Sequence, residues 1–161
     1  MANKEGHLRY SLRQATMDDY EFLYNLHVLA LRPYVEQLWG WEEVWQQEYF
    51  ERKFEPQKRK VIQIEGQDAG VLVVQQSNGQ THIDLIELMP QFQGQGVGTI
   101  IITDICSQAH ERGEVVTLHV LKSNIPARRL YERLGFEIVQ VEEYRLKMQK
   151  KSPQKSNQDI T

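Results

Sequence analysis

The chain has 161 residues, of which 40% are hydrophobic and 25% are charged, so one globular domain with a sizeable core is expected. Its net charge of −3 argues against nucleic acid as a partner, and no apolar run approaches the ~20 residues that cross a membrane. The single Cys106 excludes an internal disulfide framework and a multi-cysteine zinc site, and it fits a reducing cytoplasm. We therefore expect a cytoplasmic protein without a signal peptide, a metal or a membrane partner.

The first half of the chain carries both helix and strand signals. Thr16 followed by Asp19 is a capping box, and the apolar spacing after it predicts a helix that ends before Pro33. Residues 34–54 predict a second helical region that is rich in aromatic side chains. The sequence Asn78-Gly79 predicts a hairpin turn, because both residues accept positive φ angles. Strands are predicted over residues 8–13, 61–64, 69–74 and 81–89.

In the second half, helices alternate with strands. Apolar residues from Val97 to Ala109 have helical spacing, and a further helix is predicted to begin at Asn124. Strands are predicted over residues 115–121, 136–141 and 144–148. This order favours a mixed sheet with helices on both faces, formed by a single domain over residues 1–149. Residues 150–161 are polar, contain Pro153 and lack periodicity, so we expect a disordered C-terminal tail.

Residues 91–98 form a glycine-rich segment, Gln-Phe-Gln-Gly-Gln-Gly-Val-Gly, between a predicted strand and a predicted helix. Such a turn leaves backbone N–H groups uncovered, and the helix that follows offers its positive dipole end to an anion such as a phosphate. The P-loop pattern fails because no lysine follows. The dinucleotide pattern fails because its last glycine falls on Thr99 or Ile101. Taken alone, the segment also fits a turn that only joins a strand to a helix.

A second motif, residues 124–136, reads Asn-Ile-Pro-Ala-Arg-Arg-Leu-Tyr-Glu-Arg-Leu-Gly-Phe. Asn124 suits a helix N-cap, and Gly135 can end the helix in a left-handed conformation. Asn124, Ala127 and Tyr131 are three and four residues apart, so they share one face on which the small alanine leaves room for a ligand. Taken alone, Tyr131 also fits a half-buried tyrosine whose hydroxyl is bonded to a backbone carbonyl.

Together, the pattern Gln93-x-x-Gly96-x-Gly98 and the motif that begins at Asn124 resemble the GNAT superfamily of N-acetyltransferases. The resemblance covers about residues 10 to 147 and is weakest before residue 60. It implies an α/β fold with a central mixed, mostly antiparallel sheet, helices on both faces and a splayed strand pair that holds CoA. It also implies acetyl-CoA-dependent transfer of an acetyl group to a primary amine by direct attack in a ternary complex.

The resemblance assigns roles to three elements around the cofactor. Backbone groups of the strand before the glycine loop would contact the pantetheine arm, and an N–H near Leu88 would polarise the thioester carbonyl. Tyr131 matches the position of the family's general acid to the leaving thiolate. The residues implied to bind acetyl-CoA are Ile86, Glu87, Leu88, Gln93, Gly94, Gln95, Gly96, Val97, Gly98, Thr99, Asn124, Ala127 and Tyr131.

The general base is open between two residues. In the branch that acetylates ribosomal-protein N-termini, a glutamate can act five residues before the motif asparagine, and this chain departs from that branch by having His119 there. Histidine suits proton exchange, and strand alternation places His119 on the face opposite Val120, but it also fits a structural histidine bonded to backbone. Glu87 is the competing base or cation-binding group, since an acid on an apolar strand is unusual. Many members of the superfamily use ordered water, in which case neither residue is essential.

Residues 32–51 are expected to form the acceptor side, because the family places its variable first helices there. Aromatic rings beside carboxylates suit a cationic amine, and the candidates are Tyr34, Glu36 and Trp39. The same composition also fits an amphipathic helix with its aromatics in the core and its acids in solvent. The expected partner is a small-molecule or peptide amine, and pairing of two copies, which is common in this fold, leaves a homodimer open. The alternative function is a CoA-binding regulatory module with little catalysis, although the retained Asn124 and Tyr131 argue against it.

Overall fold

The structure is a computed structural model that describes residues 9–153. The strands are β1 (Tyr10–Gln14), β2 (Lys60–Ile64), β3 (Gln67–Ser77), β4 (Gln80–Leu88), β5 (Val115–Leu121), β6 (Glu137–Val141) and β7 (Arg145–Lys150). The α-helices are α1 (Tyr20–Trp39), α2 (Glu43–Lys53), α3 (Val97–Glu111) and α4 (Ile125–Arg133). In this part of the chain, no helix combines the length and the apolar character that crossing a membrane requires.

The strands form one mixed sheet in the order β1-β2-β3-β4-β5-β7-β6, in which only the β4–β5 pair is parallel. The parallel ladder stops where Ile83 pairs with Leu118, and the two strands separate beyond this point. A bulge at Asp84, between Ile83 and Leu85, disrupts the β3–β4 register at the same place. Because a bulge bends its strand, it turns β4 away from β5 and opens the gap between them. The structure thus confirms the mixed sheet and its splayed strand pair.

Helices cover both faces of the sheet. On one face, α3 and α4 bury Ile101 and Tyr131 against the central strands, and on the other α1 and α2 bury Leu26 and Phe50. Adjacent strand residues serve opposite faces: Val61 of β2 packs with α1 and α2, whereas the next residue, Ile62, and Ile64 two positions beyond it pack with α3. This alternation explains why the apolar runs of the central strands are nearly continuous.

Most of the predicted elements are confirmed with shifted ends. The capping box of Thr16 and Asp19 is present, although it leads first into a short 3₁₀ turn, and Asn78 and Gly79 have the positive φ angles expected of the hairpin turn. The predicted tail at 150–161 begins one residue too early, since β7 includes Lys150. Residues 154–161 lie outside the described part of the chain, as do residues 1–8, where the first strand was predicted to begin.

The prediction that the first helix ends before Pro33 is wrong, because α1 continues through Pro33 to Trp39. A proline inside a helix removes one backbone hydrogen bond and costs roughly 3 kcal/mol in isolation. Two tertiary contacts hold this last segment: Val35 is buried, and the Ser123 hydroxyl donates a hydrogen bond to the Tyr34 carbonyl at 2.7 Å. Helix α1 therefore reaches the β5–α4 connection, close to the glycine loop and the splayed ends of β4 and β5.

Candidate active site

The glycine loop presents the N-terminus of α3 to solvent. Gly94 and Gly96 have φ angles of 72° and 81°, and Gly96 is the N-cap residue of α3. Only glycine adopts this left-handed region without strain, so the two glycines make the turn possible. The Gln93 side chain fixes the loop by donating a hydrogen bond to the Leu88 carbonyl at 2.9 Å. The uncovered N–H groups and the helix dipole form a site for an anion.

A cavity of about 530 Å³, here called the loop cavity, opens at this helix N-terminus between β4 and α4. Most of the residues predicted to bind the cofactor line it: Ile86, Glu87, Leu88, Gln93, Gly94, Gly96, Val97, Gly98, Thr99, Asn124, Ala127 and Tyr131. Gln95 does not line it, because its side chain donates to the Gln91 carbonyl at 2.8 Å. The structure therefore brings the two sequence motifs and the β4 segment together around one space.

A second cavity of about 500 Å³, here called the histidine cavity, lies among α1, α2 and the sheet. His119 and Asp84 come from the splayed strands, Trp39 and Tyr49 come from the two helices, and Arg145 begins β7. A volume of this size accommodates a small organic molecule or a short chain segment.

The two cavities meet at a common wall formed by Ala30, Ile86, Glu87, Asn124 and Tyr131, each of which lines both. Glu87 and Tyr131 are the side chains of this set that can exchange a proton. Molecules bound in the two cavities would therefore face each other across a carboxyl group and a phenol. His119 lines the histidine cavity alone.

Tyr131 is positioned by the helix that Asn124 begins. The Asn124 side chain accepts a hydrogen bond from the Ala127 N–H at 3.2 Å, so it caps α4 as the sequence predicts. Tyr131 is buried, with its ring centroid 6.0 Å from that of Phe136. Burial raises the pKa of the Tyr131 hydroxyl to about 12, because the charged phenolate is poorly solvated there. The hydroxyl therefore carries its proton throughout the neutral pH range.

Glu87 has a partner that the sequence did not reveal. Its carboxylate lies 3.1 Å from Nδ1 of His27 on α1, and the Glu87 side chain is buried. The His27 ring is itself placed against Phe50 of α2, with 5.3 Å between the ring centroids. His27 and Glu87 are 60 residues apart in the chain, and no local pattern links them. The contact exists only because α1 crosses the end of β4.

His119 lies on the face of β5 that the alternation predicts. Val116, Leu118 and Val120 are buried in the core beneath α3, and His119 points the other way into the histidine cavity. Its Nε2 is 3.6 Å from a Glu142 carboxylate oxygen. Burial, with the nearby Arg145 charge, lowers the pKa of His119 below its ordinary value, so the imidazole is neutral at pH 7.

The three predicted acceptor residues are separated in the structure. Tyr34 lines the loop cavity, and Trp39 lines the histidine cavity. Glu36 lines neither, because it projects from the exposed side of α1, where it accepts a hydrogen bond from Arg32 Nε at 2.6 Å. Val35 takes the buried side of the same turn, which leaves Glu36 about 100° further round the helix, in solvent.

Further residues in the loop cavity were not found from the sequence. Arg133, in the last turn of α4, is the basic side chain among them, and it suits a phosphate. A signal for it existed, since Pro126, Leu130 and Arg133 follow the helical spacing i, i+4, i+7 and all line the cavity. Within residues 9–153, no group of three or more His, Cys, Asp or Glu side chains is placed to hold a metal ion.

Comparison with known proteins bears on this geometry. The model of the acetyltransferase (GNAT) family matches residues 17–136. An uncharacterized N-acetyltransferase of Methanocaldococcus jannaschii is 29% identical over 153 residues, which are 88% of this chain and 67% of that protein. The structure of the PaiA N-acetyltransferase from Thermoplasma acidophilum in complex with coenzyme A matches with a TM-score of 0.69 and 14% identity, covering 89% of this chain and 99% of that one.

A second solved structure, the ribosomal-protein-S18-alanine N-acetyltransferase from Escherichia coli, matches with a TM-score of 0.63 and 17% identity. It covers 95% of this chain and 99% of its own. At these identities, the structural similarity shows a common fold.

Proposed function

Since this chain belongs to the GNAT family of acetyltransferases and is an N-acetyltransferase, we propose that it transfers the acetyl group of acetyl-CoA to a primary amine of a small molecule or a peptide. The observation that carries this proposal is the meeting of two cavities at Glu87 and Tyr131. A donor and an acceptor bound in the two cavities would lie next to each other in a ternary complex. The amine could therefore attack the acetyl group directly, and no covalent enzyme intermediate would be needed.

The loop cavity is the proposed site of acetyl-CoA. Backbone N–H groups at Gly94, Gly96 and the start of α3 suit the pyrophosphate, and Arg133 adds a positive charge. Beyond Ile83, β4 has no strand partner on its β5 side in the described part of the chain. Within Ile86–Leu88, the backbone groups that face this side are therefore available to an extended, amide-containing arm such as pantetheine, although the Leu88 carbonyl already accepts a hydrogen bond from Gln93.

The reaction requires a bond from the amine nitrogen to the acetyl carbonyl carbon and cleavage of the carbon–sulfur bond. Negative charge grows on the carbonyl oxygen, and a backbone N–H near Leu88 is the proposed donor to it. The sulfur leaves as a thiolate, and Tyr131 is the proposed donor of its proton. The raised pKa of Tyr131 keeps its hydroxyl protonated at neutral pH, so it can donate a hydrogen bond to the thiolate as that group forms. Because a thiol is a stronger acid than this phenol, complete transfer of the proton requires that solvent be excluded when both substrates are bound.

Glu87 is the proposed acceptor of the amine proton, directly or through water. It lies at the common wall of the cavities, whereas His119 lies only in the histidine cavity. We therefore assign His119 to binding of the acceptor, together with Trp39. Tyr34 is assigned to the cofactor side, and the position of Glu36 argues against direct contact with either substrate.

Matched variants of the two candidate bases test this assignment. Glu87→Gln keeps the shape and the polar contact with His27 but cannot take a proton, so kcat should fall by roughly 10²-fold or more. His119→Gln should mainly raise KM for the acceptor, with a smaller effect on kcat. Initial rates over a pH series, with acetyl-CoA and acceptor varied separately, measure both quantities. The assignment is reversed if His119→Gln abolishes turnover while Glu87→Gln retains it.

A further inference from the structure

Two pairs of aromatic rings flank the histidine cavity. Trp39, at the end of α1, meets Tyr144 of the β6–β7 connection edge-to-face, with 4.8 Å between ring centroids. Trp45 and Tyr49 stack along α2, with centroids 5.0 Å apart and planes at 12°. One ring of each pair, Trp39 or Tyr49, lines the cavity, and the other ring lies beyond its lining. The four rings are called the aromatic rim below.

The aromatic rim is exposed although its rings are among the largest apolar groups of the chain. Relative exposures are 50% for Trp39, 49% for Trp45, 41% for Tyr49 and 42% for Tyr144. The rings of Trp45 and Tyr49 do not belong to the core side of α2. That side is formed by Gln46 and Phe50, each of which follows one of the two rings by one residue. Exposed apolar surface next to a cavity that contains charged side chains is typical of an interaction site.

Hydrogen bonds fix the backbone that carries the rim. The Lys122 N–H donates to the Tyr144 carbonyl at 2.9 Å, which ties the β6–β7 connection to the end of β5. Between α1 and α2, the Glu43 carboxylate accepts hydrogen bonds from Tyr24 and Trp41, each at 3.0 Å. The backbone that carries the rings is thus fixed before any molecule binds, which lowers the entropic cost of binding against them.

The charges inside the cavity suit an amine at the inner end of such a molecule. Asp84 and Glu87 both line it, the positive charge of Arg145 is paired with Glu142, and Arg59, whose charge interacts with both carboxylates, lies outside the lining. A protonated amine that enters between the rim rings would meet carboxylates, and aromatic faces also attract ammonium groups.

We infer that the acceptor amine belongs to a peptide, whose amino group enters the histidine cavity while its following side chains lie against the aromatic rim. The inference rests on the proposed function, which it narrows. A small amine that fits within the cavity contacts Trp39 and Tyr49 but cannot reach Trp45 or Tyr144, which lie outside the lining. Tryptophan and tyrosine join an apolar face to a polar tip, so they suit a chain of apolar side chains on a polar backbone.

The test compares three acceptors: a peptide with apolar residues at positions two to four, the same peptide with glycine and serine there, and a single amino-acid amide. Thiol release from acetyl-CoA is measured for each with wild type, Trp45→Ala and Tyr144→Ala. The control is Leu12→Ala, which removes a similarly exposed apolar side chain from β1, at the opposite edge of the sheet. Tyr144→Phe keeps the ring and serves as a rescue variant.

We expect the apolar peptide to be the best acceptor. Its kcat/KM should fall about tenfold in Trp45→Ala and in Tyr144→Ala, mainly through KM, as expected for loss of an aromatic contact at an interface. Turnover of the amide should fall clearly less than turnover of the peptide, KM for acetyl-CoA should not change, and Tyr144→Phe should restore most of the peptide turnover that Tyr144→Ala loses. Equal losses for the peptide and the amide, or a polyamine accepted better than both peptides, would overturn the inference.

Equilibrium binding separates failure of this inference from failure of the proposed function. If no acceptor supports thiol release, the proposed function fails. Calorimetric titration of the apolar peptide into the CoA-bound protein still decides the inference. Binding that is weakened by Trp45→Ala and left intact by Leu12→Ala supports the aromatic rim as a peptide site. Absence of peptide binding to the wild-type protein rejects it.

Discussion

Tyr131 is the residue whose chemistry the structure defines most closely. It lies at the common wall of the cavities, and its raised pKa of about 12 keeps it a proton donor at neutral pH. We expect Tyr131→Phe to lower kcat by roughly 10²-fold, because the leaving thiolate loses its proton source. Affinity for CoA should change little, since the ring and its contact with Phe136 remain. Steady-state kinetics and a CoA titration measure the two effects, and an unchanged kcat would exclude Tyr131 as the acid.

Some positions of single residues in the site could be predicted from the sequence, and others could not. Asn124, Ala127 and Tyr131 could be placed on one face from their spacing, because a helix fixes which residues are neighbours. The His27–Glu87 contact could not be predicted, because it depends on how α1 crosses β4. The position of Glu36 was equally inaccessible, since helical spacing alone does not say which side of α1 packs on the sheet.

At the scale of elements, the junction of the glycine loop and α3 provides a test with opposite signs at neighbouring positions. Gly96 has a positive φ, so Gly96→Ala should lower the free energy of unfolding by about 1–2 kcal/mol. Gly98 lies inside α3, and a Cβ there meets only Leu130 Cδ2 at 3.8 Å, an ordinary contact. Gly98→Ala should therefore raise the free energy of unfolding by up to about 1 kcal/mol. Urea unfolding of both variants measures this difference, and equal effects would contradict the described loop geometry.

Strands β3 and β4 approach each other closely beside the reaction centre. A Cβ at Gly70 would lie 2.3 Å from the Glu87 carbonyl oxygen and 2.9 Å from Leu88 Cδ2. Since this contact is with backbone, which cannot rotate away as a flexible side chain can, Gly70→Ala should displace the end of β4 and lower the free energy of unfolding by about 1–3 kcal/mol. Turnover should fall as well, because Glu87 and Leu88 move with that strand. Thermal unfolding and thiol release together check this, and a variant with wild-type stability and rate would refute it.

The elements themselves were largely predictable, and the exception has a physical reason. Period-two and helical patterns located the strands and helices, because burial on one face leaves a periodic trace in the sequence. The end of α1 was misjudged, since the local penalty of Pro33 is outweighed by the buried Val35 and by the Ser123–Tyr34 hydrogen bond. Contacts with residues far along the chain are invisible to any local pattern.

For the whole molecule, acid should destabilise the fold in two stages. Burial lowers the pKa of His82 and His119, so below pH ~6.5 the unfolded chain takes up these protons first and stability falls. Hydrogen bonds from Arg13 lower the pKa of Asp19 and Asp68, and this contribution, complete above pH ~4, is lost as pH falls through the folded pKa values. Urea unfolding from pH 8 to pH 3 should show both stages. Arg13→Gln should weaken the second stage only, and a stability that is flat from pH 8 to pH 5 would contradict the first.

The two-cavity architecture follows from a single topological feature. One parallel pair in an otherwise antiparallel sheet, ended by the bulge at Asp84, leaves a gap that α4 and α1 border from opposite faces. The sequence indicated this gap through the family resemblance and not through periodicity, since strand patterns do not record where neighbouring strands part. The structure adds that the gap joins a phosphate-suited cavity to one with room for an amine.

Acetyl transfer at the joined cavities can be measured as acetyl-CoA-dependent release of free thiol across a panel of amines and peptides, with wild type and Tyr131→Phe. We predict that one class of amine stimulates release by the wild-type protein and that the variant loses most of this stimulation while it still binds CoA. If CoA binds but no amine or peptide stimulates release, the joined cavities do not serve acetyl transfer, and the protein would instead be a CoA-binding module.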